Sequence, residues 1–499
     1  MQAVVASGHI RVSEAACHIL QNDGNAFDAV VAAGFASVVA EPLLTSLGGG
    51  GFLLARPDDA QPVLFDFFVD TPGLGQKNPD REAHFLPITV EFPGSEQIFN
   101  VGYGSVAVPG VLRGLLHVHK KLGRLPLREI LAPAVQLARF GTALNATQAY
   151  ILELLEPIMQ MTDASRKMYA PAGKILQKGS HFQNAELAAF LETLPKNGDK
   201  EFYEGKIARS IFNDMYEHDG LLTRDDLASY HVIERTPLAV NYRDQLVLTN
   251  PLPSFGGSML SYALNWLEKG MPGVVQFGSS DHLFGLVTLM KELYDCREKE
   301  NIFTQLNPQA KFAENIKKIR KAFGGTTHIS VLDAAGNAAS LTCSNGEGSG
   351  YVVPGTGIML NNMMGEDDLH PDGFHNDPPG KRVASMMSPS ILLKENQVQL
   401  VAGSGGSKRI WTALLQVISN VIDFKMNIHE AVHAPRLHWD GTTAQIEPGF
   451  KPESMQKLRD HFPVNEWQVR DVYFGGVHAV DCAGQGGGDS RRDGAVAVI

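Results

Sequence analysis

The 499-residue sequence predicts a layered α/β protein in which helices cover β-structure on both faces. Three observations carry this. Runs with helical apolar spacing flank short β-capable runs on both sides of the pair Gly325-Thr326. The stretch that begins Gly24-Asn25-Ala26-Phe27-Asp28-Ala29-Val30-Val31 is almost wholly apolar, so a helix there belongs inside, packed on both sides. The runs 326–333 and 338–342 meet through Ala334-Ala335-Gly336-Asn337, which reads as a hairpin.

In chain order, 13–21 has helical spacing with Ser13 as the expected cap. Gly48-Gly49-Gly50-Gly51 precede a strand rather than a helix, which excludes the dinucleotide fingerprint and suggests close backbone approach instead. Further helices are expected from Val111 through His119, at 127–139 and at 184–194, with Thr223 capping another. A β-like run, 246–249, leads through Pro251-Leu252-Pro253 into a helix reaching Leu267, and a longer helix spans 281–297. Residues 300–325 are polar and end in Gly-Gly, as a mobile lead-in would. Beyond Thr326 the pattern is β-rich, at 358–360, 390–393 and 398–401, and then strongly helical over 409–423.

Bulk properties narrow the function. The chain is 44% hydrophobic and 19% charged, as in ordinary globular proteins, and its length alone suggests three domains. A net charge of −11 argues against a nucleic-acid partner. No run of 18 apolar residues indicates a membrane span. Residues Met1-Gln2-Ala3-Val4-Val5 have neither the basic nor the apolar region of a secretory signal, and the four cysteines lack ligand spacing. A cytoplasmic location is the resulting expectation.

Thr326 after Gly325 would by itself be one more β-branched residue opening a strand. The wider motif, Thr326-Thr327-His328-x-Ser330-Val331-x-Asp333-x-x-Gly336-Asn337-Ala338, resembles the cleavage site of the γ-glutamyltranspeptidase family. Gly24-Asn25-Ala26, Leu47 to Phe52, Val108-Pro109-Gly110 and Gly488-Asp489-Ser490-Arg491-Arg492 resemble other segments of that family, so the resemblance runs over nearly the whole chain. It implies an N-terminal-nucleophile hydrolase fold, a four-layer αββα sandwich, in one intertwined domain over 1–499. It also implies self-cleavage between Gly325 and Thr326, giving a large fragment 1–325 and a small fragment 326–499. The chemistry suits these residue types. A threonine hydroxyl is a weak nucleophile without a base, and the α-amine freed by the cut supplies one, with a reference pKa of about 7.7–8.0.

The same resemblance implies roles for other residues. Gly405 and Gly406, in Gly403-Ser404-Gly405-Gly406-Ser407-Lys408-Arg409, would hold the oxyanion, where amides at a helix start favour negative charge. On pattern alone a simple strand-to-helix turn is the favoured reading, and the ending of a Walker loop is missing. Ser344 would bond the nucleophile. Asn345, Asp368 and Ser385 would bind the donor. Against the family pattern, Phe68 replaces a carboxylate-clamping Arg, Met363 a Gln and Met386 a Ser. A planar guanidinium is what reads a carboxylate bidentately, and Phe68 cannot do so. Arg382 and Arg409 are the candidates to replace it.

The expected activity is therefore a self-processing amidohydrolase or acyltransferase on a γ-glutamyl or related small-molecule amide, with an altered acyl pocket and no cofactor. Two alternatives stand beside it: a glutathione hydrolase or transpeptidase with a displaced Arg, and an uncleaved relative acting as a binding scaffold. Glu366, Asp367, Asp368, His370, Asp372, His375 and Asp377 invite a metal reading, but their spacing fits no standard site and a solvated loop is expected.

Overall fold

The computed structural model describes residues 2–76, 83–92, 95–270, 275–298, 325–370 and 373–499. Its framework is two antiparallel sheets. The first orders strands Ala495–Val498, Val4–Ser7, Thr326–Leu332, Ala338–Ser344, Gly50–Arg56, Val63–Phe67 and Ile233–Arg235. The second orders Gly486–Gly488, Gly476–Asp481, Gln397–Gly405, Ser390–Lys394, Gln245–Thr249 and Leu238–Tyr242. Both sheets therefore interleave chain from before Gly325 with chain from after it.

Strand alternation builds the layers, because successive side chains point to opposite faces. Leu53, Ala55, Ile329, Val331 and Leu341 pack with helices Ile10–Gln21, Ala26–Ala40, Val111–Leu122 and Leu127–Phe140. Their neighbours Phe52, Leu54, Leu332 and Ala338 join the second sheet and helices Phe255–Gly270, Ser280–Glu298 and Ile410–Ile422. The result is helix, sheet, sheet, helix: the four-layer sandwich.

Helix Ala26–Ala40 is buried at every position, as its lack of a polar face requires. Asn25 starts it with a capping box: its side chain accepts from the amides of Phe27 and Asp28, while the Asp28 carboxylate accepts from Asn25 N–H. The hairpin forms in the register Thr326 opposite Ser344 through Leu332 opposite Ala338. Asp333 closes its turn by accepting from the amides of Ala335 and Asn337, and reaches the Ala26 amide at 2.9 Å. Gly336, at φ +92°, takes the left-handed position there.

One expectation fails. The first helix begins at Ile10 with His9 as its cap, not at Ser13. Ser13 lies inside the helix, bonded to the Ser7 hydroxyl and to the carbonyl of Ala495 on a distant strand. The lead-in over 300–324 and Asp372 lie outside the described residues. Among the described residues, no helix is long and apolar enough to cross a membrane.

Candidate active site

Thr326 opens its strand near the middle of the first sheet, 5% exposed. The hairpin register places Ser344 opposite it, and the Ser344 hydroxyl donates to the carbonyl oxygen of Gly325 while accepting from Gly346 N–H at 3.0 Å. The expected partner was the nucleophile; in the continuous chain the bond goes instead to the carbonyl just before it. Gly325 has no room for a side chain, since a Cβ there would lie 2.2 Å from the carbonyl oxygen of Gly346 and 2.8 Å from that of Leu43.

Gly405 ends the central strand of the second sheet and closes on Thr326 from the other side. A Cβ on it would lie 2.4 Å from the Thr326 carbonyl oxygen. Arg492 Nη1 donates to that same oxygen at 3.1 Å. Gly406, at φ +126°, and Ser407, at φ +50°, then swing the chain into helix Ile410–Ile422. The sandwich thus brings together Thr326, Ser344, Gly325 and Gly405, which the family resemblance had assigned to one site.

Beneath this edge the two sheets meet through polar groups. His328, fully buried, bonds the Thr342 hydroxyl at 2.8 Å and the Ser330 hydroxyl at 3.0 Å, and lies so close to Gly403 that a Cβ there would be 2.1 Å from the ring. Burial holds its pKa well below the usual histidine value, so the ring is neutral at pH 7. Ser330 and Ser340 donate across to the carbonyls of His478 and Ala402. Next to Thr326 on the same strand, Thr327 donates to the buried Glu41 carboxylate at 2.9 Å. Burial pushes Glu41 up to about 7, against the opposing pull of Thr327 and Arg492.

The residues expected to bind the donor differ from expectation in their charges. Both oxygens of Asp368 are occupied: Lys408 Nζ lies 2.5 Å from one, and the Ser407 hydroxyl donates to the other at 2.6 Å. Burial raises the pKa of Glu347 and of Glu366, and the charge of Asp368 pushes both further up. Asn345 is buried, and among the described residues its Oδ1 has no hydrogen-bond partner. Ser385 is buried, its hydroxyl accepting from Met387 N–H at 3.1 Å and its carbonyl from Phe255 N–H at 2.7 Å. Phe68, Met363 and Met386 are buried in the apolar core around the second sheet, with Phe68 stacked on Phe52 at 5.4 Å.

Of the two candidate arginines, Arg382 is taken by Asp66, Asp70, the Tyr230 hydroxyl and the His231 carbonyl. Arg409 donates from Nε to the Tyr473 carbonyl, while its buried Nη2 has no hydrogen-bond partner among the described residues. Among the described residues, no group of three or more His, Cys, Asp or Glu is placed to hold a metal ion. His370 bonds the Met363 carbonyl, His375 stacks on Phe85 and Asp377 pairs with Lys381.

Sequence reasoning missed Arg492, Glu41 and Lys408. Arg492 sits in the Gly488–Gly494 segment and Lys408 in the glycine turn, so both were in view, but no local pattern states what they reach across the fold.

Stacked antiparallel sheets between helix layers, with a threonine opening a central strand, are the architecture of the N-terminal-nucleophile hydrolases. The comparisons agree. The Gamma-glutamyltranspeptidase family profile matches residues 12–300 and 277–499. The Escherichia coli (strain K12) glutathione hydrolase proenzyme is 32% identical over 92% of this chain and 84% of its own. The acylase ACY 1 proenzyme of Pseudomonas sp. (strain SE83) is 32% identical over 96% and 89%. In structure, the cephalosporin acylase from Bacillus halodurans superposes with a TM-score of 0.82 at 26% identity, over 99% of this chain and 95% of that one. Helicobacter pylori gamma-glutamyltranspeptidase gives 0.52 at 28% identity, over 59% and 82%. The chain belongs to the gamma-glutamyltranspeptidase family and is an enzyme of that family.

Proposed function

We propose that this chain is a self-processing amidohydrolase or acyltransferase, cut between Gly325 and Thr326, that uses the freed Thr326 as its nucleophile. The Ser344 hydroxyl on the Gly325 carbonyl carries the proposal. Attack by Thr326 Oγ on that carbonyl carbon develops charge on the oxygen Ser344 already donates to, where a placed donor lowers the barrier. The peptide C–N bond breaks, its nitrogen takes the proton lost by the hydroxyl, and an ester joins Gly325 to Thr326. Water opens the ester, leaving a carboxylate on Gly325 and an α-amine on Thr326. Fragments 1–325 and 326–499 remain one intertwined domain, since each supplies strands to both sheets.

In the mature enzyme that amine takes the hydroxyl proton as Thr326 attacks a substrate amide. The amides of Gly405 and Gly406 hold the oxyanion, each such donor being worth roughly 3–4 kcal/mol. The amine product leaves with the proton, and the Thr326 ester is resolved by water or by another amine. Asn345, whose unpartnered Oδ1 offers an acceptor, lies on the donor side with Asp368 and Ser385. The relatives named glutathione hydrolase and acylase support a small-molecule amide as substrate. Phe68, Met363 and Met386 favour an altered acyl group over a standard γ-glutamyl donor. The glutathione-hydrolase alternative rests on Arg409, whose Nε is bonded to the Tyr473 carbonyl but whose buried Nη2 has no hydrogen-bond partner among the described residues.

Denaturing electrophoresis tests the reading. Purified chain should separate into two fragments whose smaller member begins at Thr326, and Thr326→Ala should leave one uncut, inactive band. An uncut wild type without amidase activity would favour a scaffold instead.

A further inference from the structure

Asp368 is the carboxylate that the family pattern assigns to a donor's ammonium, yet in this chain an ammonium already sits on it. We propose that Lys408 fills the donor-ammonium position from within, so that the acyl site accepts amides of acyl chains lacking an α-ammonium. This rests on the proposed Thr326 chemistry and names its substrate class.

The geometry is specific. Lys408 Nζ and the Ser407 hydroxyl take the two oxygens of Asp368 at 2.5 and 2.6 Å, and both come from the turn directly after Gly405 and Gly406. Ser407 holds a left-handed φ of +50° to make that turn, a conformation that costs energy unless contacts enforce it. The pair is enclosed, with the Lys408 side chain 15% exposed and that of Asp368 7%. An incoming ammonium would have to displace Lys408 or lie against it, and like charges in an enclosed site repel. Glu347 and Glu366 do not supply a second anion readily, since burial and the neighbouring carboxylates favour their protonated forms. Met363 and Met386 stand where the family pattern has polar groups, and both are buried in the apolar core.

Two donors differing by one group provide the test: L-γ-glutamyl-p-nitroanilide and glutaryl-p-nitroanilide, which is the same acyl chain without its α-ammonium. Wild type should prefer the glutaryl substrate at least tenfold in kcat/KM. Lys408→Met should narrow that ratio at least fivefold, mainly through the KM of the γ-glutamyl substrate, and Lys408→Arg should preserve it. Equal or reversed preference in wild type, or an unmoved ratio in a matured Lys408→Met, overturns the inference. If the chain neither matures nor turns over any amide, the Thr326 reading falls separately. Calorimetry on the wild-type chain then decides this one. Glutarate binding tenfold tighter than L-glutamate sustains it; equal affinity, the reverse order or no binding to either overturns it. Wild-type turnover and binding also decide the matter if Lys408→Met fails to fold.

Discussion

The two sides of Thr326 are built differently. On the nucleophile side, contacts are made by backbone: the Gly325 carbonyl under Ser344, Gly405 pressed on the Thr326 carbonyl, glycines where any Cβ would collide. Among the residues proposed for the acyl side the contacts are made by side chains, and several depart from the family pattern: Phe68, Met363, Met386, and Asp368 paired with Lys408. Backbone contacts cannot change without moving strands, whereas side chains change one at a time. A fold can therefore keep its reaction and alter the group it reacts on.

The contrast can be broken first at its foundation. Arg491 is fully buried, paired to Glu447 and Asp489, with Arg436 2.7 Å from the same Asp489. Burial works against the charge of Asp489, yet these arginines hold its carboxyl well below the usual range. Arg491→Met should strand those carboxylates and cost about 3–5 kcal/mol in urea unfolding. A cost under about 1 kcal/mol would mean that this network does not anchor the C-terminal strand behind Arg492.

Gly405→Ala tests the backbone side directly. Its methyl would sit 2.4 Å from the Thr326 carbonyl oxygen. Self-cleavage or amide turnover should fall on the order of 100- to 1000-fold, the effect of losing one oxyanion donor. Near-normal rates would show that Gly405 does not shape the site.

Glu41 offers a pH test behind the nucleophile. Its folded pKa, raised to about 7, lies above the unfolded value of 4.5, so the folded chain keeps a proton that the unfolded chain has released. The associated stability is complete below about pH 4.5 and is lost as pH rises through 7, up to about 3 kcal/mol. Glu41→Gln should remove that slope, so its urea midpoints at pH 5 and pH 8 should lie closer together than those of wild type. Parallel profiles would exclude the assignment.

The smallest effect is expected at Ser385. Its hydroxyl already accepts from Met387 N–H, so Ser385→Ala should cost about 1 kcal/mol of stability and change KM less than threefold. A tenfold rise in KM would show that the Ser385 hydroxyl contributes directly to donor binding.

Much of the frame was legible in the residues. The apolar run from Ala26 announces the buried helix Ala26–Ala40, Gly336-Asn337 the hairpin, and Gly405-Gly406 the passage from strand to helix, because these are short-range patterns of composition, turn and period. Ser13 misled because a hydroxyl near a helix start is normally a cap, and nothing local reports a carbonyl 482 residues away. Phe68 was visible as a departure. Its burial against Phe52 and the commitment of Arg382 to Asp66 and Asp70 were not.

By itself the sequence determined the layered class, the hairpin and the threonine at its mouth, since periodicity, turns and caps depend on neighbours along the chain. Tertiary structure alone decided that Ser344 lies on the Gly325 carbonyl, that Arg492 reaches Thr326 and that Lys408 occupies Asp368. Those contacts join residues whose separation in sequence carries no information about distance, and only the stacking of the two sheets supplies it.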